Sequence, residues 1–246
     1  MTELQSQLET DESKKSTMNF TNLMQVNEQY ASENKMDGIV LSSVQHNVPA
    51  WAMFAMFFIL FPLAGNFIKE REEGSMLRLR LIAGSYLPAI TGKFIFYFLV
   101  CLLQFLTMIA AGILVMPLLG LEQLTIGNNI FGIAIAALSV AMAATSYGLL
   151  IATYFQTAQQ ALSFGSVSVV ILAAIGGIWV PVFVMPDVLQ AISGLSPLNW
   201  GLEIFNDLFL RGATIGDISS GVLKLLCFSL IAVTLSIFVQ KVKSGV

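Results

Sequence analysis

Charge is scarce in this chain. Only 11% of the 246 residues are Asp, Glu, Lys or Arg, less than half the share of roughly 25% usual in soluble domains. With 56% hydrophobic residues, that scarcity excludes a soluble fold and implies several membrane spans. Histidine is limited to His46, between Gln45 and Asn47, so no second imidazole is present to share a metal. The two cysteines, Cys101 and Cys227, both lie in apolar runs, where a thiol packs as a small hydrophobe and a disulfide is not expected. No nucleophile–base pairing or metal cluster stands out, and Gly74-Ser75 lacks the glycines and lysine of a phosphate cradle. The chain is therefore not expected to be an enzyme or to carry a cofactor. Met1–Lys15 is acidic and polar, without the basic start and apolar middle of a secretory signal.

The charge that exists is unevenly placed. Residues 1–46 hold three lysines and seven acids, a net of −4, and the other 200 hold nine basic and eight acidic groups, a net of +1. No basic face suited to nucleic acid results. Five stretches meet the need for about 20 apolar residues across hydrocarbon: Val48–Ile68, Phe94–Met116 (extending to Leu121 at most), Ile130–Tyr154, Ala161–Met185 and Ser219–Gln240. Backbone groups in lipid must bond within their own segment, so all five are expected to be helical. The fold class is thus all-α, a polytopic membrane helical bundle. Apart from Lys224 near one end, the spans carry no charge, which leaves a proton relay or a carboxylate sodium site nothing to be built from. Uphill movement of a solute then requires energy from a soluble partner.

Lysine and arginine placement orients the bundle. If residues 69–80 face the cytoplasm, that side gathers Lys69, Arg71, Arg78, Arg80, Lys93, Lys241 and Lys243, against Arg211 and Lys224 opposite. This predicts an external N-terminus and a cytoplasmic C-terminus. The polar tail of residues 1–46 has weak hydrophobic spacing and builds no core of its own. Between the fourth and fifth spans, Val188, Leu189, Ile192 and Leu195 form one apolar face, and after Ser196-Pro197 so do Trp200, Ile204, Phe205 and Leu208. The pattern predicts two short amphipathic helices, an outer re-entrant or interfacial pair. Small residues recur at Gly132, Ala136, Ala143, Ala144, Gly148, Gly165, Gly176 and Gly177, which suits close packing inside the bundle, a dimer seam or a pathway. Pro62 and Pro181 are expected to kink their helices or start irregular turns.

The densest charge is an island, Lys69-Glu70-Arg71-Glu72-Glu73-Gly74-Ser75-Met76-Leu77-Arg78-Leu79-Arg80, set between uncharged stretches. It reads as a short amphipathic element at the cytoplasmic membrane surface. Glu70-Arg71-Glu72-Glu73-Gly74-Ser75, then Arg78-Leu79, then Gly92-Lys93, resembles the coupling segment of ABC exporter permeases of the second type, which typically read E-R-E-x-G-[ST]-x-x-R-L before G-K. Asn47-Val48-Pro49-Ala50-Trp51 resembles the entrance of that family's second span, and Ser196-Pro197-Leu198-Asn199-Trp200 its outer re-entrant pair. The likeness runs from about residue 45 to the end, the 47–246 transmembrane domain. Relative to the family's usual six spans, the resemblance implies that the first span and most of an extracytoplasmic domain are not in this sequence.

The resemblance implies a permease subunit moving a hydrophobic or amphipathic substrate, such as a drug, lipid or lipid-linked molecule, outward. It implies two partners, a cytoplasmic ABC ATPase and a second permease half (a homodimer), with membrane lipid around them. The implied ATPase-coupling interface is Glu70, Arg71, Glu72, Glu73, Gly74, Ser75, Arg78 and Arg80: the carboxylates meet basic groups on the ATPase, the arginines meet acidic residues or lipid, and Gly74 supplies the bend. The competing expectation is a non-transporting structural or assembly subunit, in which these charges only anchor the loop.

Overall fold

A computed structural model of the chain describes residues 43–75, 78, 87–127 and 129–243. The chain divides into the units Met1–Leu41 and Ser42–Val246, and the first, holding most of the stretch read as a tail, lies outside the described residues. Among the described residues regular structure is entirely helical, and five segments are long and apolar enough to cross a bilayer.

The first span, Val44–Glu72, is two helices: α1 (Ser43–Phe57) and α2 (Leu60–Glu72). Pro62 causes the break. It has no N–H to offer the Phe58 carbonyl, and its ring crowds that carbonyl. The chain tightens instead into three-residue turns, with Ile59 N–H donating to Met56 O and Phe61 N–H to Phe58 O, both at 3.1 Å. Side chains of the next span brace the break: Tyr97 Oη donates to Pro62 O at 3.0 Å and Cys101 Sγ lies 3.6 Å from Met56 O. Thr145 Oγ1 donates in turn to Cys101 Sγ at 3.7 Å. The Cys101 thiol is buried and free.

The second span, α3 (Leu87–Leu118), begins seven residues before the expected Phe94. Sequence reading placed the boundary at the charge of Lys93, but Glu70 meets that charge and the helix runs on through it. The third span, α4 (Ile130–Tyr154), matches its expected limits and is capped by Asn129, whose Oδ1 accepts from Gly132 N–H at 2.9 Å. The fourth, α5 (Ala158–Ile175), stops ten residues short of the expected Met185. Gly177 (φ +87°) takes the left-handed conformation, and Ile178 N–H returns to Ala173 O at 3.2 Å, a helix-closing motif. The apolar run that followed looked like more span and instead forms a short 3₁₀ turn, Val182–Val184. Two helices follow, α6 (Asp187–Ser193) and α7 (Pro197–Leu210), before the last span, α8 (Ile215–Lys243).

Helix α4 is the hub, packing against α1, α2, α3, α5, α7 and α8. Lipid is as apolar as leucine, so hydrophobicity does not drive these helices together and close van der Waals fit must do so. The small residues supply it. Ala136, Ala143, Ala144 and Gly148 are all buried, and a Cβ on Gly148 would stand 3.2 Å from the Leu60 Cα. Leu60, the first residue after the break, also fills the space left by Gly165. On α3 and α8 the faces turned away from α4 expose Leu103, Leu106, Leu114, Leu230 and Phe238, as lipid-facing helices should. Helix α7 buries Leu198, Leu202, Phe205 and Leu208 in the bundle, whereas α6 leaves Val188, Leu189 and Ile192 exposed.

Gly148→Val is expected to destabilise the chain by about 1–3 kcal/mol through overpacking against Leu60. Gly65→Ala, at a helical site with nothing within 4 Å of the added carbon, should be neutral or raise stability by up to about 1 kcal/mol. Thermal unfolding of the two variants in detergent checks the contrast.

Candidate functional site

The island begins on the last turn of α2, and the helix sorts its charges by side. Glu70 and Arg71 are half-buried, while Lys69, Glu72, Glu73 and Arg78 are exposed. Glu70 Oε1 pairs with Lys93 Nζ at 2.5 Å, joining the island to α3, and the same ammonium stands 5.9 Å above the Phe67 ring. Arg71 Nη2 donates to the carbonyls of Phe155 and Gln156, both at 2.7 Å.

Phe155 caps the C-terminal end of α4 and Gln156 follows it. A helix leaves its last four carbonyls without internal donors, and its C-terminal end carries partial negative charge. Lys243, at the end of α8, donates to Thr153 O at 2.8 Å and also to Tyr154 O, with its ammonium 5.9 Å from the Tyr154 ring. Two cations from residues 172 positions apart thus grip one helix end. A buried hydroxyl pair, Thr153 Oγ1 and Ser236 Oγ at 3.1 Å, also ties α4 to α8.

Beyond α2 the chain turns at Gly74 (φ +71°), a conformation costing a side chain about 1 kcal/mol or more. Arg78 N–H then donates to Gly74 O at 3.2 Å. On the exposed side Lys69 and Glu73 lie 3.8 Å apart. Of the residues expected at a coupling interface, the structure brings Glu70, Arg71, Glu72, Glu73, Gly74, Ser75 and Arg78 together at one end of the bundle, and Arg80 lies outside the described residues. Glu70 and Arg71 are engaged with the bundle itself, leaving Glu72, Glu73 and Arg78 as the water-facing set. Sequence reasoning missed Lys243 and the α4 terminus as members of this site. The available signal was a helix with no basic residue in its last turn, which needs cations from elsewhere.

The far end is held by a different set. Ser196 Oγ donates to Leu172 O at 2.9 Å and Asn199 Nδ2 to Gly176 O at 3.5 Å, stapling α7 to the end of α5. Trp200 Nε1 donates to Gly194 O at 2.7 Å across the α6–α7 turn. Between the ends, the outward side of the first span is an aromatic ladder: Trp51–Phe54 at 5.6 Å, Phe54–Phe58 at 4.8 Å and Phe58–Phe61 at 5.2 Å, with Trp179 standing 6.0 Å from Phe54. Among the described residues no group of three His, Cys, Asp or Glu side chains is placed to hold a metal ion.

Comparison with known proteins agrees with this architecture. Over 185 residues the chain is 24% identical to the linearmycin resistance permease protein LnrN of Bacillus subtilis (strain 168), an alignment covering 75% of this chain and 46% of that protein. The chain thus spans about half the length of that relative. The family model for ABC-2 family transporter proteins matches residues 1–238. With nearly its whole length matched, the chain belongs to the ABC-2 family of transporter proteins.

Proposed function

We propose that the chain is the permease of an ATP-driven exporter in a bacterial inner membrane. A separate ATPase binds the island at the cytoplasmic surface, and a second permease half, a second copy of this chain, completes the route. The N-terminus is external and the C-terminus cytoplasmic, following the excess of lysine and arginine at the island end. The observation that carries the reading is the division of labour within the island. Glu70 and Arg71 bind it to α3 and α4, while Glu72, Glu73 and Arg78 face water.

A short surface element docked in a groove of a partner transmits force only if it is also fixed to the part that must move. The Arg71 contacts provide that fixing, because they end on the two residues that directly follow α4, the helix packed against every other span. A push on the exposed charges reaches α4 through Arg71, and α8 through the shared helix end held by Lys243. The aromatic ladder supports a hydrophobic or amphipathic substrate, since Trp51, Phe54 and Phe58 offer π-faces without a charge to hold an ion. The printed name of the permease LnrN refers to resistance to linearmycin, and transport of an antibiotic-like or lipid-like molecule is the corresponding reading here.

Two predictions separate the sides of the island. Glu72→Lys and Arg78→Glu should leave the unfolding temperature in detergent unchanged, because exposed pairs contribute only about 0–1 kcal/mol. Both should abolish ATPase capture in pull-downs and ATP-dependent transport in reconstituted vesicles. Full capture and full transport by both variants would mean that the island is only a topological anchor.

Arg71→Ala should behave the opposite way. It removes two hydrogen bonds from a charged donor, at about 1.5–3 kcal/mol each, and should lower the unfolding temperature while the ATPase still binds. ATP hydrolysis should then proceed without matching transport. An Arg71→Ala variant as stable and as well coupled as the parent would remove Arg71 from the transmission path.

A further inference from the structure

One charged pair belongs to neither end-holding network. Lys224 is the tenth residue of α8 and Glu203 lies on α7 beside it; both are exposed. The two helices touch closely here, since a Cβ on Gly221 would stand 2.7 Å from Ile204 Cγ1 and 3.6 Å from Trp200 O. Glu203 interacts electrostatically with Lys224, Asp207 and Arg211. Asp207 and Arg211 satisfy each other at 2.6 Å, but among the described residues no carboxylate lies within 4.0 Å of the Lys224 ammonium.

Depth makes the pair unusual. At 1.5 Å per residue, α8 is roughly 43 Å long, the thickness of a bilayer with its headgroups, and Lys224 sits about 13 Å below its start. The backbone there is inside the hydrocarbon edge, and the four-carbon stem returns the ammonium to the headgroup boundary. Leu223, Leu226 and Leu230 around it are exposed, so the surface is the lipid-facing side of a peripheral helix. A lipid-facing charge demands a partner. Two opposite charges on touching helices, with exposed leucines further along α8, match a molecule carrying an anion and a cation on one head and acyl chains beneath.

We infer that Lys224 and Glu203 form a headgroup site for a zwitterionic phospholipid, in the leaflet opposite the island. Lys224 holds the phosphate, Glu203 the amine, and the leucine flank of α8 the chains. The site does not depend on the transport reading, only on α8 crossing the membrane.

The test titrates the purified full chain, in dodecyl maltoside, with three lipids. These are phosphatidylethanolamine, phosphatidylglycerol (an anion without the amine) and an uncharged galactolipid. Bound lipid is counted by native mass spectrometry and stability by thermal unfolding. Phosphatidylethanolamine should be retained best and raise the unfolding temperature. E203Q and K224Q should each weaken its retention by about tenfold or more, the scale of a lost hydrogen bond to a charged group. Phosphatidylglycerol should respond to K224Q alone, and the galactolipid to neither. Equal retention of all three lipids, or phosphatidylethanolamine binding unchanged in E203Q, overturns the proposal. If K224Q does not fold, E203Q, a substitution at an exposed site, still decides between the outcomes.

Discussion

The close approach of the first span to α4 is the contact on which the rest of the bundle rests. In lipid no hydrophobic gain accompanies helix association, and fit alone holds helices together. The fit depends on glycine and alanine at Ala136, Ala143, Ala144 and Gly148, buried on the hub helix, and on Leu60 seated between Gly148 and Gly165. Leu60 reaches that seat because Pro62 breaks the span just before it, and Tyr97 and Cys101 brace the break through carbonyl contacts. A straight first helix would carry Leu60 on another course and leave both glycines facing a void.

The two ends of the bundle solve one problem with different chemistry. Each helix end exposes backbone groups that need partners. At the island end the partners are cations, Lys243 on the last carbonyls of α4 and Arg71 on those of the two residues that follow it. At the far end neutral side chains serve, Ser196, Asn199 and Asn129, the last also donating to Ala213 O at 3.1 Å, and the Asp217 carboxylate accepts from Thr214 N–H and Oγ1 at 2.8 Å where α8 starts.

The sequence by itself determined the membrane class, the five spans and the place of the island, because each follows from composition and from the cost of charge in hydrocarbon. It also pointed to the family, through Glu70-Arg71-Glu72-Glu73-Gly74-Ser75 and Gly92-Lys93. Only the tertiary structure decided which island charges turn inward, since Glu70 and Arg71 differ from Glu72 and Glu73 by their angle around α2 and by what stands beside it. The early end of α5 at Ile175 was likewise hidden: Ile178–Met185 is apolar enough to continue a span, and the left-handed Gly177 stops it. Hydropathy measures a residue's preference for lipid over water, and spans obey it. Partners such as Lys243 and the α4 terminus, 90 residues apart for the Thr153 contact, are selected by geometry that exists only once the helices have packed.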